Sequence, residues 1–267
     1  MADSQKTVVL ITGATGVIGN AIARALAATP DYALALVARD RDRAARAVDA
    51  IRRESGNEDV RFLIADLSRR RCIQALADDW QGPLHVLVND AGVAPRRRET
   101  TPEGIELTFA TNVLAYLWMT QAFAPHLERS APARIVNVAS YWAGELDLDD
   151  LEFHRRPYDN HTSYRQSKQA NRMLTVALAD ALAGRGISVN ACHPGDPAST
   201  LSRNLGFSGS QSAEDAARTP VMLARGELGA GVTGRYFEHG REARCHFGED
   251  TRGVERLYAI CRGYDEP

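Results

Sequence analysis

The feature that most constrains this chain is a regular alternation of short apolar runs and helix-like segments, from residue 7 to residue 192. Thr7–Thr12 (TVVLIT), Tyr32–Ala38, Val60–Ile64, Leu84–Val88, Arg134–Ala139 and Ile187–Cys192 read as strands. Between them, helices are expected at Val17–Ala28, from about Asp40 to Glu54, at Arg69–Asp79, at Pro102–Leu127 as one long helix, and at Ser163–Ala183. Strands that are apolar nearly throughout, each followed by a helix, predict a parallel sheet covered on both faces. Right-handed crossovers make such a sheet doubly wound. The expectation is therefore an α/β fold, a single doubly wound parallel sheet of about seven strands with helices on both faces. A single domain over 1–267 suits the length better than two small ones. In such sheets ligands lie beyond the carboxyl ends of the strands, so the loops after each strand carry the chemistry. The Ser- and Gly-rich segment Ser199–Ala213, within about 196–215, is the candidate for a mobile substrate loop.

Composition narrows the function. Hydrophobic residues make up 44%, enough for a core, yet no apolar run reaches the roughly 18–20 residues of a membrane span. Met1 to Lys6 is short and polar, with no signal-peptide pattern, which points to the cytoplasm. A net charge of −2 gives no reason to expect nucleic acid or a membrane as partner; a small-molecule substrate is expected instead. Cys72, Cys192, Cys245 and Cys261 form no CxxC pair and read as reduced thiols, Cys192 as core filling.

The first strand runs into Thr12-Gly13-Ala14-Thr15-Gly16-Val17-Ile18-Gly19. Glycines between a strand and a helix let the backbone approach a pyrophosphate, and the helix N-terminus offers free N–H groups and partial positive charge. Gly13, Thr15, Gly16, Val17, Ile18 and Gly19 are thus candidate dinucleotide-binding residues. The second strand ends in Val37-Ala38-Arg39, with Arg43 one turn on. An acidic residue there would hold a ribose diol; arginine suits a 2′-phosphate by charge and fork geometry, which favours NADPH/NADP+ over NAD. Asp66, with Leu67 beside it, follows the third strand and is placed to contact adenine.

Three further features converge. Ser140 ends the fifth strand, Tyr164 and Lys168 stand four apart on one helix face, and Asn112 lies inside the long helix before that strand. Hydride transfer to a carbonyl leaves an alkoxide that needs a proton. A tyrosine can supply it, but its ordinary pKa is about 10; a neighbouring ammonium favours the phenolate. Ser140 can hydrogen-bond the carbonyl oxygen, and Lys168 can reach the nicotinamide ribose. With only two lysines and eight tyrosines in the chain, chance would give about 0.06 such pairs, so the spacing carries weight.

Together these residues resemble the short-chain dehydrogenase/reductase family, a Rossmann-type fold. The phosphate loop, Asp66, Asn89-Asp90-Ala91-Gly92, Asn112, Ser140, Tyr164/Lys168 and His193-Pro194-Gly195 fall in family order over about residues 7–240. The resemblance implies cofactor contacts at Asn89, Ala91, Gly92, Pro194 and Gly195, and catalytic roles for Asn112, Ser140, Tyr164 and Lys168. Tyr164-Arg-Gln-Ser-Lys-Gln-Ala-Asn171, the 24-residue gap from Ser140 to Tyr164, Asp149-Asp150-Leu151 and Gly234-Arg-Tyr-Phe237 are similar to the retinol-dehydrogenase-like and protochlorophyllide-reductase-like branch. That branch implies NADPH and carbonyl, quinone-like or conjugated substrates. Dimers and tetramers built from the two long helices are common in the family, which leaves a homo-oligomer open; the insertion before Tyr164 would instead cover that face.

There are three departures. Glycine stands at 16 rather than at 17, as in the longer epimerase-like members. The common NNAG is Asn89-Asp90-Ala91-Gly92. Where the family places Val or Ile two residues past Gly195, with a backbone N–H for the nicotinamide carboxamide, this chain has Pro197, which has none. Ser199 or Thr200 is then expected to hold the carboxamide.

Other readings stay open. Arg96-Arg97-Arg98 either attracts an acidic substrate or is a solvated run. Tyr141, Trp142, Phe153 and Tyr158 either stack on a flat substrate or pack the core. His239 with Cys245-His246 is a weak metal candidate, and no metal is expected. The leading expectation is reduction of a ketone, aldehyde or quinone, on a bulky cyclic or aromatic substrate, with tailoring in secondary metabolism as one setting. The alternatives are a non-catalytic NADP(H)-sensing regulatory protein and a nucleotide-sugar-modifying enzyme on the same fold.

Overall fold

The structure, a computed structural model, describes residues 6–265. Of the polar N-terminal stretch read from the sequence, residues 1–5 lie outside the described residues. In chain order the elements are β1 (Thr7–Thr12), α1 (Val17–Ala27), β2 (Tyr32–Ala38), α2 (Arg41–Ser55), β3 (Val60–Ile64), α3 (Arg70–Asp78) and β4 (Val86–Asn89). A π-helical turn (Phe109–Leu114) leads into α4 (Ala115–Arg129), followed by β5 (Ala133–Val138), α5 (Asn160–Ala181) and β6 (Ile187–Cys192). The chain closes with α6 (Thr200–Asn204), α7 (Ala213–Arg225), β7 (Tyr236–Glu238), β8 (Arg241–Ala243), α8 (His246–Glu249) and α9 (Thr251–Arg262).

The strands form one sheet in the order β3-β2-β1-β4-β5-β6-β7-β8. All pairs are parallel except β7 and β8, a short antiparallel hairpin. Order reverses beside β1, so the carboxyl ends of β1 and β4 flank a crevice. Successive side chains of a strand point to opposite faces, and here both sets are apolar. Val9, Ile11, Val86, Val88 and Val136 meet α1, α2 and α7 on one face. Leu10, Leu87, Ile135 and Val189 meet α3, α4, α5 and α9 on the other. Each fully buried aliphatic side chain contributes about 1.5–3 kcal/mol.

The sheet is the expected one, with an eighth strand. The long helix expected from Pro102 is a correction. Pro102 and Gly104, the latter at φ 87°, sit in a turn that the Thr101 N–H closes on Ile105 O, beside a bridge between Thr100 and Glu106. The buried Glu106 carboxylate then accepts the N–H groups of Thr108 and Phe109 at 2.9 and 2.7 Å, so the helix begins there. α5 starts earlier than expected because the Asp159 carboxylate caps it at the Thr162 N–H. The 199–213 segment contains α6, held by a reciprocal capping box of Ser199 and Ser202.

Candidate active site

A cavity of about 1100 Å³ opens along the carboxyl edge of the sheet. One end is walled by Gly13, Thr15, Gly16, Val17 and Ile18, with Arg39, Asp66 and Leu67 beside them. The middle is walled by Ala91 and Gly92, and the far end by Ser140, Tyr164, Lys168, Pro194, Gly195, Pro197 and Ser199. The folded chain thus brings most of the sequence-predicted residues to one cleft.

Three do not reach its wall. Gly19 lies behind the loop, where an added Cβ would stand 2.6 Å from Gly13 O and 2.7 Å from Asp90 Oδ2; only glycine fits. Asn89 is fully buried at the end of β4 and donates to Asn137 Oδ1 at 2.9 Å. Asn112, in the π-helical turn, is fully buried too. Its Oδ1 accepts the Val93 N–H at 2.8 Å, and its Nδ2 donates to Val93 O and Ser167 Oγ, both at 3.0 Å. Its amide therefore ties the turn after Gly92 to α5 instead of facing the cavity.

The loop end is shaped for an anion. A Cβ on Gly13, which has φ 66°, would come within 2.8 Å of Ala91 Cα. α1 has no side-chain cap at Gly16, and the N–H groups of Val17 and Ile18 at the cavity wall are left to whatever enters. At the tip of β2, Asp40 is occupied as the α2 cap, accepting the Arg43 N–H at 2.9 Å. The cavity is left with Arg39 and Arg43, and an Arg43 Nη also donates to Thr15 O at 3.1 Å. These residues fit a phosphorylated dinucleotide.

At the opposite end, Lys168 Nζ donates to Val138 O at 2.8 Å and lies 5.7 Å from the Tyr164 ring centre. Tyr116 OH, fully buried, donates to the same carbonyl at 3.1 Å. The Tyr164 hydroxyl meets Ser140. Burial pushes the Tyr164 phenol well above its ordinary value, and the Ser140 hydrogen bond opposes this. The expected effect of the lysine on the phenol is not among these influences; burial is the largest. Burial also draws Lys168 down, and the Asp90 carboxyl draws it back up.

A ladder of side chains behind the wall fixes the relative positions of these groups. Asn89 Nδ2 donates to Asn137 Oδ1, Asn137 Nδ2 to Thr175 Oγ1 at 3.0 Å, and Thr175 Oγ1 to Asn171 O at 2.7 Å. It links β4 and β5, whose ends lead into Asp90 and Ser140, to α5, which carries the Tyr164/Lys168 pair.

The aromatic residues divide. Tyr141 and Trp142 line the cavity. Phe153 is buried under Arg156, and Tyr158 OH donates to Pro95 O at 2.9 Å, so these two pack. Phe207, which the sequence did not single out, meets Trp142 edge-on with ring centres 5.0 Å apart and is half exposed. The arginine run divides as well: Arg96 stands at the cavity rim, while Arg98 donates to Glu152 O at 2.8 Å. The Ser199 hydroxyl and N–H are both spent on Ser202, the Asp196 N–H is spent on Gln211 Oε1, and Thr200 Oγ1 accepts from Arg203. The carboxamide expectation for Ser199 and Thr200 therefore has little free bonding capacity behind it. Among the described residues no cluster of three His, Cys, Asp or Glu could hold a metal, and no helix is long and apolar enough to cross a membrane. Tyr116 was also missed, although it follows Asn112 by one helical turn.

A model of the short chain dehydrogenase family matches residues 7–206. Human retinol dehydrogenase 13 is 33% identical over 272 residues, which cover 94% of this chain and 82% of that one. An uncharacterized protein from Mycobacterium paratuberculosis superposes with a TM-score of 0.81 at 25% identity, over 97% of this chain and 93% of its own. A variant of the actinorhodin polyketide ketoreductase, solved with NADPH, superposes with a TM-score of 0.69 at 25% identity, over 90% and 97%. With these matches and the architecture above, the chain belongs to the short-chain dehydrogenase family of oxidoreductases, on its retinol-dehydrogenase-like branch.

Proposed function

We propose that this protein reduces the carbonyl of a bulky cyclic or aromatic ketone, aldehyde or quinone with NADPH. One observation carries the reading: Ser140, Tyr164 and Lys168 share a single cavity with a glycine-lined helix end and two arginines. NADPH supplies the hydride. Arg39 and Arg43 bind the 2′-phosphate by charge and fork geometry. The amino end of α1 takes the pyrophosphate. Ser140 hydrogen-bonds the substrate oxygen and holds it against Tyr164. As negative charge develops on that oxygen, the phenol delivers its proton, and the ammonium of Lys168 stabilises the phenolate left behind. A phenol that burial keeps protonated suits this direction, because reduction needs a proton donor. Likeness to an NADPH-bound ketoreductase supports the cofactor and the direction.

Trp142, Tyr141 and Phe207 offer aromatic faces and edges beside the reacting end, which supports a flat or ring-bearing substrate. The sensing alternative has less behind it, since a sensor has no need of a Tyr–Lys pair in the cavity. The protein acts in the cytoplasm in this reading.

The test is NADPH oxidation against a panel of ketones, aldehydes and polycyclic quinones, with Tyr164→Phe in parallel. Turnover that falls by about 10²–10⁴ in the variant, with NADPH binding kept, is the expected result. NADPH binding without turnover of any panel member would favour the sensing reading.

A further inference from the structure

Asp90 stands where the family places an uncharged asparagine, and the mechanism above does not use it. It follows β4 and lines the cavity between the phosphate loop and the catalytic end. Its backbone is fixed, with the N–H groups of Asp90 and Ala91 both donated to Thr12 Oγ1, at 2.9 and 3.1 Å. Its carboxyl is fixed too. Oδ2 lies so close to Gly19 that a Cβ there would stand 2.7 Å away, and the Gly19 N–H donates to the carboxyl. Gly19 is in the first turn of α1, whose amino end has no other side-chain cap.

We propose that Asp90 sets the affinity of this site for its dinucleotide: set against the amino end of α1 and within the field of the Lys168 charge, its carboxyl opposes the anionic cofactor when ionised and not when protonated. The inference rests on the NADP(H) reading above. A carboxylate behind the helix end neutralises part of the positive field that would otherwise hold a pyrophosphate in front of it. It also neutralises part of the Lys168 charge.

The titratable groups facing Asp90 are Lys168 from α5, Tyr116 from α4, Tyr164 from α5 and Cys192 from β6. Burial raises the Asp90 carboxyl to about 8, and the Lys168 charge is the main influence opposing it. The two phenols and the thiol are all pushed above their ordinary values and stay neutral there. An incoming anion favours the protonated acid, so binding takes up a proton, and affinity falls as pH rises through this range. Lys168, drawn down by burial, loses its charge over the same range and acts in the same direction. The two are separated at the extremes. Near pH 6 the acid is neutral, so replacing it by an amide changes no charge there. Near pH 9.5 the amine is discharged, and only Asp90 still contributes charge.

The experiment is titration with NADPH, followed by its fluorescence, from pH 6 to 9.5, in the wild type and in Asp90→Asn, which keeps shape and the acceptor for Gly19. The variant is expected to bind within about twofold of wild type at pH 6 and about five- to tenfold more tightly at pH 9.5, the order that one screened charge produces. A ratio that does not change with pH, or weaker binding by the variant at pH 9.5, overturns the proposal. Calorimetry at pH 8 in buffers of different ionisation enthalpy needs only the wild type: proton uptake on NADPH binding is expected, and its absence overturns the proposal even if the variant does not fold. A wild type that binds no NADPH at any pH removes the cofactor reading and this proposal with it, whereas parallel pH curves remove the proposal alone.

Discussion

Val138 O accepts two donors, Lys168 Nζ and Tyr116 OH, and so holds the ammonium close to the Tyr164 ring without a direct contact between the two side chains. A buried lysine without such an acceptor would carry a large desolvation cost. The opposite end of the cleft is also decided by single residues. Asp40 is spent on the α2 cap, so the charges presented by the tip of β2 are Arg39 and Arg43. Arg39→Asp with Arg43→Ala is expected to weaken NADPH binding by about 10²–10⁴-fold and leave NADH binding within a few-fold, since each charge-assisted pair contributes about 1.5–3 kcal/mol. Parallel fluorescence titrations with the two cofactors check this. Equal loss for both would mean that the arginines do not read the 2′-phosphate.

At the scale of elements, α6 is a five-residue helix across the cavity mouth, with no buried residues of its own. It is held by its capping box, by Asn160 Nδ2 on Asn204 O at 2.9 Å, by Asn204 Nδ2 on Ala94 O at 3.2 Å, and by Phe207 against Trp142. Removing the ring loosens this cover and one wall of the pocket together. Phe207→Ala is expected to raise KM for ring-bearing substrates by about 5–20-fold, for a lost contact of about 1–2 kcal/mol, with little change for a small aldehyde. Steady-state kinetics on both substrates show the difference, and equal effects would place Phe207 outside the pocket. What the sequence revealed of these elements follows the range of the interactions. The β1 glycine loop and the Tyr164–Lys168 pair are local patterns and could be read directly. The turn at 101–105, the Glu106 cap and the Trp142–Phe207 contact depend on folded geometry. Pro102 looked like a helix start because the turn it occupies has no signature of its own beyond Gly104. Gly19, Asn89 and Asn112 were recognised as site residues, but their place behind the wall depends on neighbours distant in the chain.

For the whole molecule, both faces of the sheet are packed with apolar side chains, and buried polar groups such as Asn89, Asn112, Ser140, Lys168 and His193 gather toward its carboxyl edge. His193 is one of them, at the end of β6 with its ring 4.6 Å from that of Tyr141 and 4% exposed. Burial draws it down to about 4 from an ordinary 6.5. Between those values the unfolded chain binds a proton that the folded chain does not. The stability it contributes is present above pH 6.5 and is lost as pH falls toward 4, by up to about 3 kcal/mol. Urea midpoints at pH 7 and pH 4.5 are expected to differ by less in His193→Gln than in the wild type; an equal difference would assign the acid sensitivity to other groups.

The side-chain ladder from Asn89 through Asn137 to Thr175 divides the protein's tasks in space. It fixes the strand ends and the long helix that present the reacting groups, and it touches neither the segment that carries Tyr141 and Trp142 nor the one that carries Phe207. The cavity-facing aromatic residues of those two segments are free to diverge in sequence while the chemistry stays where it is. An engineer seeking a new substrate would randomise Tyr141, Trp142 and Phe207 and leave the ladder alone.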